Sequence, residues 1–360
     1  MYDTLMKFLL TIFPGLSKLA SSELGSRMKL LPVASARVRG SEILWVQTTN
    51  PAGLLELKLI EDVFIEIDTI KLTGKSTDLK LITATLMRAD TLETALRTYV
   101  TLTNRTLPTR SHFRVVAQAD DAAWREYRRV DMQSTAEMSL ARARPNWRLD
   151  PVAAPVEIWL HQIGRQLSVS LRLTNGLHRA RGGREAERAA ALRPTIAAAM
   201  VYAAGLGDED VFLDPMCGTG TILLERAQAG RHGLLLGGDI DPAAVKAAQA
   251  NFGPRHKPVR IEQMDARRLP LEDSSVNRFV TNLPWGQQIG TLRELPKLYA
   301  GVLAEAVRVV QSGGTIVLLS SERELLKRAC KAQSKIKLIQ TVPDIEVLGR
   351  RAEMVVLHRI

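Results

Sequence analysis

From residue 192 onward the chain alternates short apolar strand-like runs with helical periodicity, and few folds accommodate so regular a pattern. Residues 211–215, 234–239, 259–264, 277–282 and 315–320 read as strands. Among them, residues 221–229, 242–251, 296–310 and 322–332 repeat apolar side chains at helical spacing. Such strand–helix units imply a parallel sheet covered by helices on both faces. Residues 335–342 and 352–359 then follow as two strands with no helix between them, the pattern of an antiparallel hairpin at the sheet edge. The expected class is α/β, with a Rossmann-like, seven-stranded sheet ending in that hairpin.

In a doubly wound sheet, ligands bind beyond the carboxyl ends of the strands, where connections diverge. Three acidic residues mark successive strand ends here. Asp214 opens Asp214-Pro215-Met216-Cys217-Gly218-Thr219-Gly220-Thr221, a loop leading into a helix. Its glycines let the backbone approach a nucleoside-type ligand with no Cβ in the way. Leu223 stands where the dinucleotide fingerprint requires a third glycine or alanine, so that fingerprint fails. Asp239, followed by Ile240, ends the second strand and can accept both ribose hydroxyls. Asp265, followed by Ala266, ends the third and can accept the adenine amino group. Nothing in the loop demands a pyrophosphate, which favours S-adenosylmethionine over NAD. The expected cofactor set is Asp214, Pro215, Cys217, Gly218, Gly220, Thr221, Asp239, Ile240, Asp265 and Ala266, joined by Asn282.

The fourth strand ends in Asn282-Leu283-Pro284-Trp285-Gly286. This string resembles the (Asn/Asp)-Pro-Pro-(Tyr/Phe/Trp) motif of methyltransferases acting on conjugated amines. An exocyclic amine delocalises its lone pair into the ring and is a poor nucleophile. The Asn282 side-chain oxygen and the Leu283 carbonyl can both accept its N–H groups, localising the lone pair and aiming it. Trp285 supplies a stacking face, and Pro284 stiffens the loop. Leu283 replaces the first proline of the usual pair but keeps the main-chain carbonyl. With the terminal hairpin, these motifs point to a class I methyltransferase sheet rather than a dehydrogenase sheet.

Charge indicates the partner. The chain carries 49 Lys/Arg against 38 Asp/Glu, a net charge of +11. Residues 1–180 hold 24 against 18 and residues 181–360 hold 25 against 20, so both halves are basic. That spread favours a polyanion through neutralised phosphates and released counterions. A linker containing Arg179, Arg181 and Arg184 beside Gly182 and Gly183 is a candidate phosphate contact. Two cysteines, Cys217 and Cys330, without a CxxC pair, argue against a disulfide framework or a structural zinc site and fit a reducing cytoplasm. The apolar run 8–13 is too short for a membrane span and lacks the flanks of a leader, so it reads as a buried strand.

The first half alternates strands (7–13, 42–48, 112–118, 156–161, 167–173) with helical patterns (16–24, 53–67, 91–102, 127–143). The whole resembles the THUMP-domain RNA methyltransferases, in particular the branch acting on guanine N2 of tRNA. Phe13-Pro14-Gly15-Leu16-Ser17-Lys18-Leu19-Ala20-Ser21-Ser22-Glu23-Leu24 looks like that family's opening strand and helix. Residues 111–173 look like its THUMP unit, and residues 178–181 and 190–199 like the approach to its catalytic domain. The resemblance implies a ferredoxin-like domain over 1–70, a THUMP RNA-binding domain over 71–175, a linker over 176–191 and a methyltransferase domain over 192–360. It also implies a cytoplasmic, metal-free, non-membrane and monomeric enzyme, methylating guanosine N2 of tRNA near the acceptor stem. DNA amino-methylation, protein glutamine methylation and silent RNA binding are competing readings. The small α/β first half fits RNA better than DNA, the charge fits a polyanion better than protein, and the intact motif residues favour an enzyme.

Overall fold

A computed structural model describes residues 5–38, 40–119, 123–175, 178, 192–286, 293–347 and 349–360. They fall into two compact units: residues 1–12 with 24–178, and residues 13–23 with 179–360.

The first unit contains β1 (Met6–Ile12), the end of α1 (Ser17–Met28), β2 (Ala34–Val38), β3 (Ser41–Thr48), β4 (Ile60–Lys71), α2 (Thr77–Met87), α3 (Ala89–Thr103), β5 (His112–Gln118), α4 (Arg129–Ala143), β6 (Arg148–Leu149), β7 (Val156–Ile163) and β8 (Gln166–Arg172). One sheet runs β2-β3-β1-β4-β8-β7-β5-β6. The domain boundary expected near residue 70 therefore falls inside a continuous sheet, because β4 pairs antiparallel with both β1 and β8. The helix expected over 53–67 is corrected. Its second half is β4, in which Val63, Ile65 and Ile67 are buried on one face. The acids that mimic a polar helix face instead meet cations from neighbouring strands. Asp62 pairs with Arg172 at 2.6 Å and Glu66 with Lys7 at 2.6 Å. Period two wins over period 3.6 here.

The second unit contains α5 (Pro194–Ala204), β9 (Val211–Asp214), α6 (Thr221–Ala229), β10 (Leu234–Asp239), α7 (Pro242–Ala250), β11 (Val259–Gln263), β12 (Val276–Asn282), α8 (Leu295–Val309), β13 (Val310–Ser320), α9 (Arg323–Lys331), β14 (Ile336–Val347) and β15 (Arg350–Arg359). The strand order is β11-β10-β9-β12-β13-β15-β14. Strands β9 to β13 pair in parallel, while β15 is antiparallel to both β13 and β14. The chain thus leaves β9 toward β10 and later returns to its other side as β12. The divergence that creates a ligand crevice lies between these carboxyl ends. Beneath it, Leu213, Phe279, Leu283, Tyr299, Val302 and Leu318 belong to one buried cluster that fixes the strand ends.

The segment 13–23 belongs to this second unit. Ser22 shares a hydrogen bond with the Tyr202 hydroxyl at 3.0 Å, and the Arg193 guanidinium lies 5.0 Å from the Phe13 ring centroid. A Cβ on Gly15 would stand 2.9 Å from the carbonyl oxygens of Pro343 and Asp344. Among the described residues no helix is long and apolar enough to cross a membrane.

Candidate functional site

β9 ends in Asp214, its neighbour β10 in Asp239, and its other neighbour β12 in Asn282. Asp214 is almost fully enclosed, at 1% exposure. Its Oδ1 accepts the Thr281 hydroxyl at 2.8 Å and the Met216 amide at 3.2 Å. It therefore ties the glycine loop to the last turn of the strand that presents Asn282. Burial pushes its carboxyl up to about 7, and the nearby charge of Asp239 adds to the rise. The folded value lies above the unfolded one, so this group's stabilising contribution is complete at low pH. It is lost as pH rises from about 4 through about 7. Wild-type stability should fall over that window relative to Asp214→Asn, at most on the order of 1 kcal/mol per pH unit. Denaturant melts of both proteins at several pH values check this, and parallel pH profiles would refute it.

The loop and Asp239 hold each other. Gly218 N–H donates to Asp239 Oδ2 at 2.9 Å, and Asp241 N–H donates to Oδ1 at 3.0 Å. Gly218 has φ +53°, and no atom stands within 4 Å of where its Cβ would be, so the loop faces open space. Gly220 has φ +81° and begins α6, but a Cβ there would meet the Phe252 ring at 2.9 Å. Pro215 and Thr221 are buried and frame the loop. Cys217 is packed inside, its amide donating to the Gly238 carbonyl at 2.8 Å. Burial, reinforced by Asp214 and Asp239, raises its thiol pKa, so it serves packing rather than nucleophilic chemistry. Ile240 is 57% exposed directly after the acid, an apolar surface placed where a flat heterocycle can cover it.

Asp265 is less free than its position in the sequence implies. Arg267 donates to it from its backbone amide at 2.9 Å and from Nη2 at 2.7 Å, holding the carboxyl below its usual range. An adenine amino group would have to share this acceptor. The Ala266 side chain sits in the core, so only its backbone is available. These residues fit a nucleoside with an adjoining cationic centre: an acid for ribose, an apolar wall and a loop open to solvent. Asp239→Ala should lower S-adenosylmethionine affinity by on the order of 1.5–3 kcal/mol, the worth of a charge-assisted hydrogen bond. Calorimetry returning the wild-type constant would remove Asp239 from the site.

The loop after β12 is tied through three backbone groups: the Leu283 amide and the Pro284 and Trp285 carbonyls. Leu283 N–H donates to the Leu319 carbonyl at 3.0 Å, extending the strand pairing by a residue. A proline there could not make this bond, and the Leu283 side chain fills the core below. That accounts physically for leucine where the motif has proline. The Pro284 carbonyl accepts the Tyr299 hydroxyl at 2.8 Å, and the Trp285 carbonyl accepts Arg350 Nη1 at 3.4 Å. Two acceptors are left. Asn282 Oδ1 is buried with no hydrogen-bond partner, and the Leu283 carbonyl accepts none among the described residues. Buried unsatisfied acceptors are costly, and Asn282 Oδ1 stands at a strand end, where a doubly wound sheet binds its ligand. Trp285 Nε1 is likewise buried and unpartnered.

Sequence reasoning missed Thr281, Tyr299, Ser320, Glu322 and Arg350, which hold the loop from behind. None carries a motif signal, because each acts through a contact made only in the fold. Arg179, Arg181 and Arg184 lie outside the described residues. A cavity of about 590 Å³, lined in part by Arg97, Arg144 and Trp147, belongs to the first unit. Among the described residues no cluster of three or more His, Cys, Asp or Glu side chains could hold a metal ion.

The family match lies in the half of the chain that carries this site. Residues 181–343 match the family described as RMKL-like, methyltransferase domain. The chain is 38% identical over 138 residues to the U6 snRNA (guanine-N(2))-methyltransferase THUMPD2 of Bos taurus, covering 38% of this chain and 26% of that protein. It is 29% identical over 228 residues to the tRNA (guanine(6)-N(2))-methyltransferase THUMP3 of Mus musculus, covering 59% and 45%. The chain thus spans less than half the length of these relatives. In three dimensions it is similar to TrmN from Thermus thermophilus, with a TM-score of 0.78 at 23% identity, covering 99% of this chain and 100% of that one.

Proposed function

We propose that this chain, whose residues 181–343 match the family described as RMKL-like, methyltransferase domain, uses S-adenosylmethionine as methyl donor to methylate the exocyclic N2 amine of a guanosine in tRNA. When bound, the cofactor supplies an electrophilic methyl group. The observation that carries the reading is the pair of acceptors left open among the described residues, Asn282 Oδ1 and the Leu283 carbonyl, beside a Leu283 amide and Pro284 and Trp285 carbonyls that are engaged. An aromatic amine offers two N–H groups. Bonding both rotates its lone pair out of conjugation and directs it along one line. Trp285 offers a ring face to a base drawn out of its stack. Asp239 and Ile240 hold the donor's nucleoside on the other side of the same crevice.

Guanine N2 as the amine and RNA as the carrier are supported by the names of both relatives, and tRNA by that of the second. The +11 charge, spread over both halves, supports a polyanionic substrate. The first unit is read as a ferredoxin-like part joined to a THUMP part that engages the RNA near its acceptor stem. The arginine-bearing linker that follows adds phosphate contacts. A monomer working in the cytoplasm, without metal, completes the reading. The test is incubation with S-adenosylmethionine and unmodified total tRNA, followed by nucleoside mass spectrometry. N2-methylguanosine is expected. N6-methyladenine or N4-methylcytosine made on DNA, with no product on RNA, would replace this proposal by the DNA reading.

A further inference from the structure

Behind the amine-binding loop, four residues close a ring of hydrogen bonds, one of them through the Glu322 backbone amide, that begins and ends on two successive carbonyls. The Tyr299 hydroxyl donates to the Pro284 carbonyl at 2.8 Å and lies 2.7 Å from Ser320 Oγ. Ser320 Oγ accepts the Glu322 amide at 2.9 Å. Glu322 Oε1 accepts Arg350 Nη2 at 3.1 Å, and Arg350 Nη1 returns to the Trp285 carbonyl at 3.4 Å. The same guanidinium lies 6.0 Å from the Trp285 ring centroid. The members come from α8, the end of β13, the turn into α9 and the start of β15, so no local sequence pattern joins them.

We infer that Tyr299 and Arg350 are positioning residues: the ring they close through Ser320 and Glu322 clasps the loop, aiming the Leu283 carbonyl at the amine and setting the plane of Trp285. The geometry explains why four residues are needed. Fixing one carbonyl leaves the loop free to pivot about it. Fixing carbonyls 284 and 285 together defines the peptide plane between them and, through the rigid Pro284 ring, the direction of the carbonyl before it. Burial pushes the Tyr299 hydroxyl up to about 12, so it stays a donor across the working range. Arg350 supplies two prongs in a fixed fork, which a lysine cannot reproduce. Neither side chain reaches the reacting atoms. Their effect passes through position, where displacement on the order of 1 Å can cost ~10²-fold in rate.

This inference rests on the amine-transfer reading, so its test carries one readout that does not. The full chain is labelled with 5-fluorotryptophan, and the Trp285 resonance is assigned by its loss in Trp285→Phe. Tyr299→Phe, Arg350→Gln, their double variant, Arg350→Lys and the control Arg323→Gln are compared. Arg323 pairs with Asp344 outside the ring. Each single ring variant should shift the Trp285 resonance and slow single-turnover methylation of tRNA about tenfold, with cofactor affinity unchanged. Arg350→Lys should fall between Arg350→Gln and wild type. Because both residues act on one clasp, the double variant should be within about threefold of the slower single variant rather than the product of the two. Multiplying effects, or an unmoved fluorine resonance at wild-type rate, would overturn the clasp. Absence of product from wild type would sink the amine-transfer reading instead, and the fluorine shifts would still decide the clasp.

Discussion

Replacing Asn282 with alanine is expected to slow methyl transfer by roughly 10²–10³-fold, the scale of losing one preorganised polar group, while leaving the protein as stable as before or more so. The two halves of this expectation have one cause. Asn282 Oδ1 is buried without a partner in the free protein. An unsatisfied buried acceptor costs on the order of 1–3 kcal/mol, so deleting it removes a cost rather than a bond. Its value appears only when charge builds on the amine, which places its contribution in the transition state. RNA affinity should hardly change, because most of it comes from distributed phosphate contacts. Trp285→Ala should behave differently, removing stacking worth roughly 1–3 kcal/mol from the engaged base, with Trp285→Phe retaining much of it. Single-turnover rates at saturating RNA, filter binding at fixed salt and thermal melts separate these effects. A variant at position 282 that melted early yet methylated at the wild-type rate would make Asn282 a structural residue and end the amine-binding reading.

That opposition between stability and activity helps explain which parts of the molecule were legible in the sequence. The second unit announced itself because each β–α repeat must bury one face, and burial imposes periodicity on the chain itself. The acids at the ends of β9 and β10 were visible for a related reason: topology puts ligands at strand ends, so a carboxylate there has few structural excuses. Asp214 is the instructive case. Its position was legible, but its enclosure beside Asp239 and its bond to Thr281 depend on β10 and β12 flanking β9, which local sequence does not encode.

The first half was harder to read. β4 alternates acids with branched residues, and the pattern Glu61-Asp62, Glu66, Asp68 passes for the polar face of a helix until Arg172 and Lys7 are seen opposite. Those cations lie 110 and 59 positions away in sequence, since 172 − 62 = 110 and 66 − 7 = 59. The clasp of Tyr299, Ser320, Glu322 and Arg350 was invisible for the same reason. Residues of ordinary type, each on a different element, acquire a role only through tertiary contact.

The two glycines of the β9 loop look equivalent in sequence, and the structure predicts opposite failures for them. Both take positive φ, +53° at Gly218 and +81° at Gly220, so any side chain adds roughly 1–2 kcal/mol of backbone strain. Their surroundings then diverge. At Gly220 a Cβ would enter the Phe252 ring edge at 2.9 Å, and Phe252 in turn packs edge-on against His256 at 5.3 Å between centroids. Gly220→Ala should therefore act mainly on the fold, lowering the melting temperature, with any loss of cofactor affinity secondary to that. At Gly218 nothing stands within 4 Å, so Gly218→Val meets no protein atom near its Cβ. What it fills is the space above the loop, beside an Asp239 carboxylate that also accepts the Gly218 amide. S-adenosylmethionine affinity should drop by at least 10²-fold, since a branched side chain both occupies the approach and disturbs the hydrogen bond that orients the ribose acceptor. Stability should fall only by the strain. Calorimetric titration and thermal melts of the two variants give four numbers, and the expected pattern is a crossed one. If Gly218→Val bound the cofactor normally, the open face of the loop would not be the cofactor face, and Asp239 would lose its assigned partner along with it.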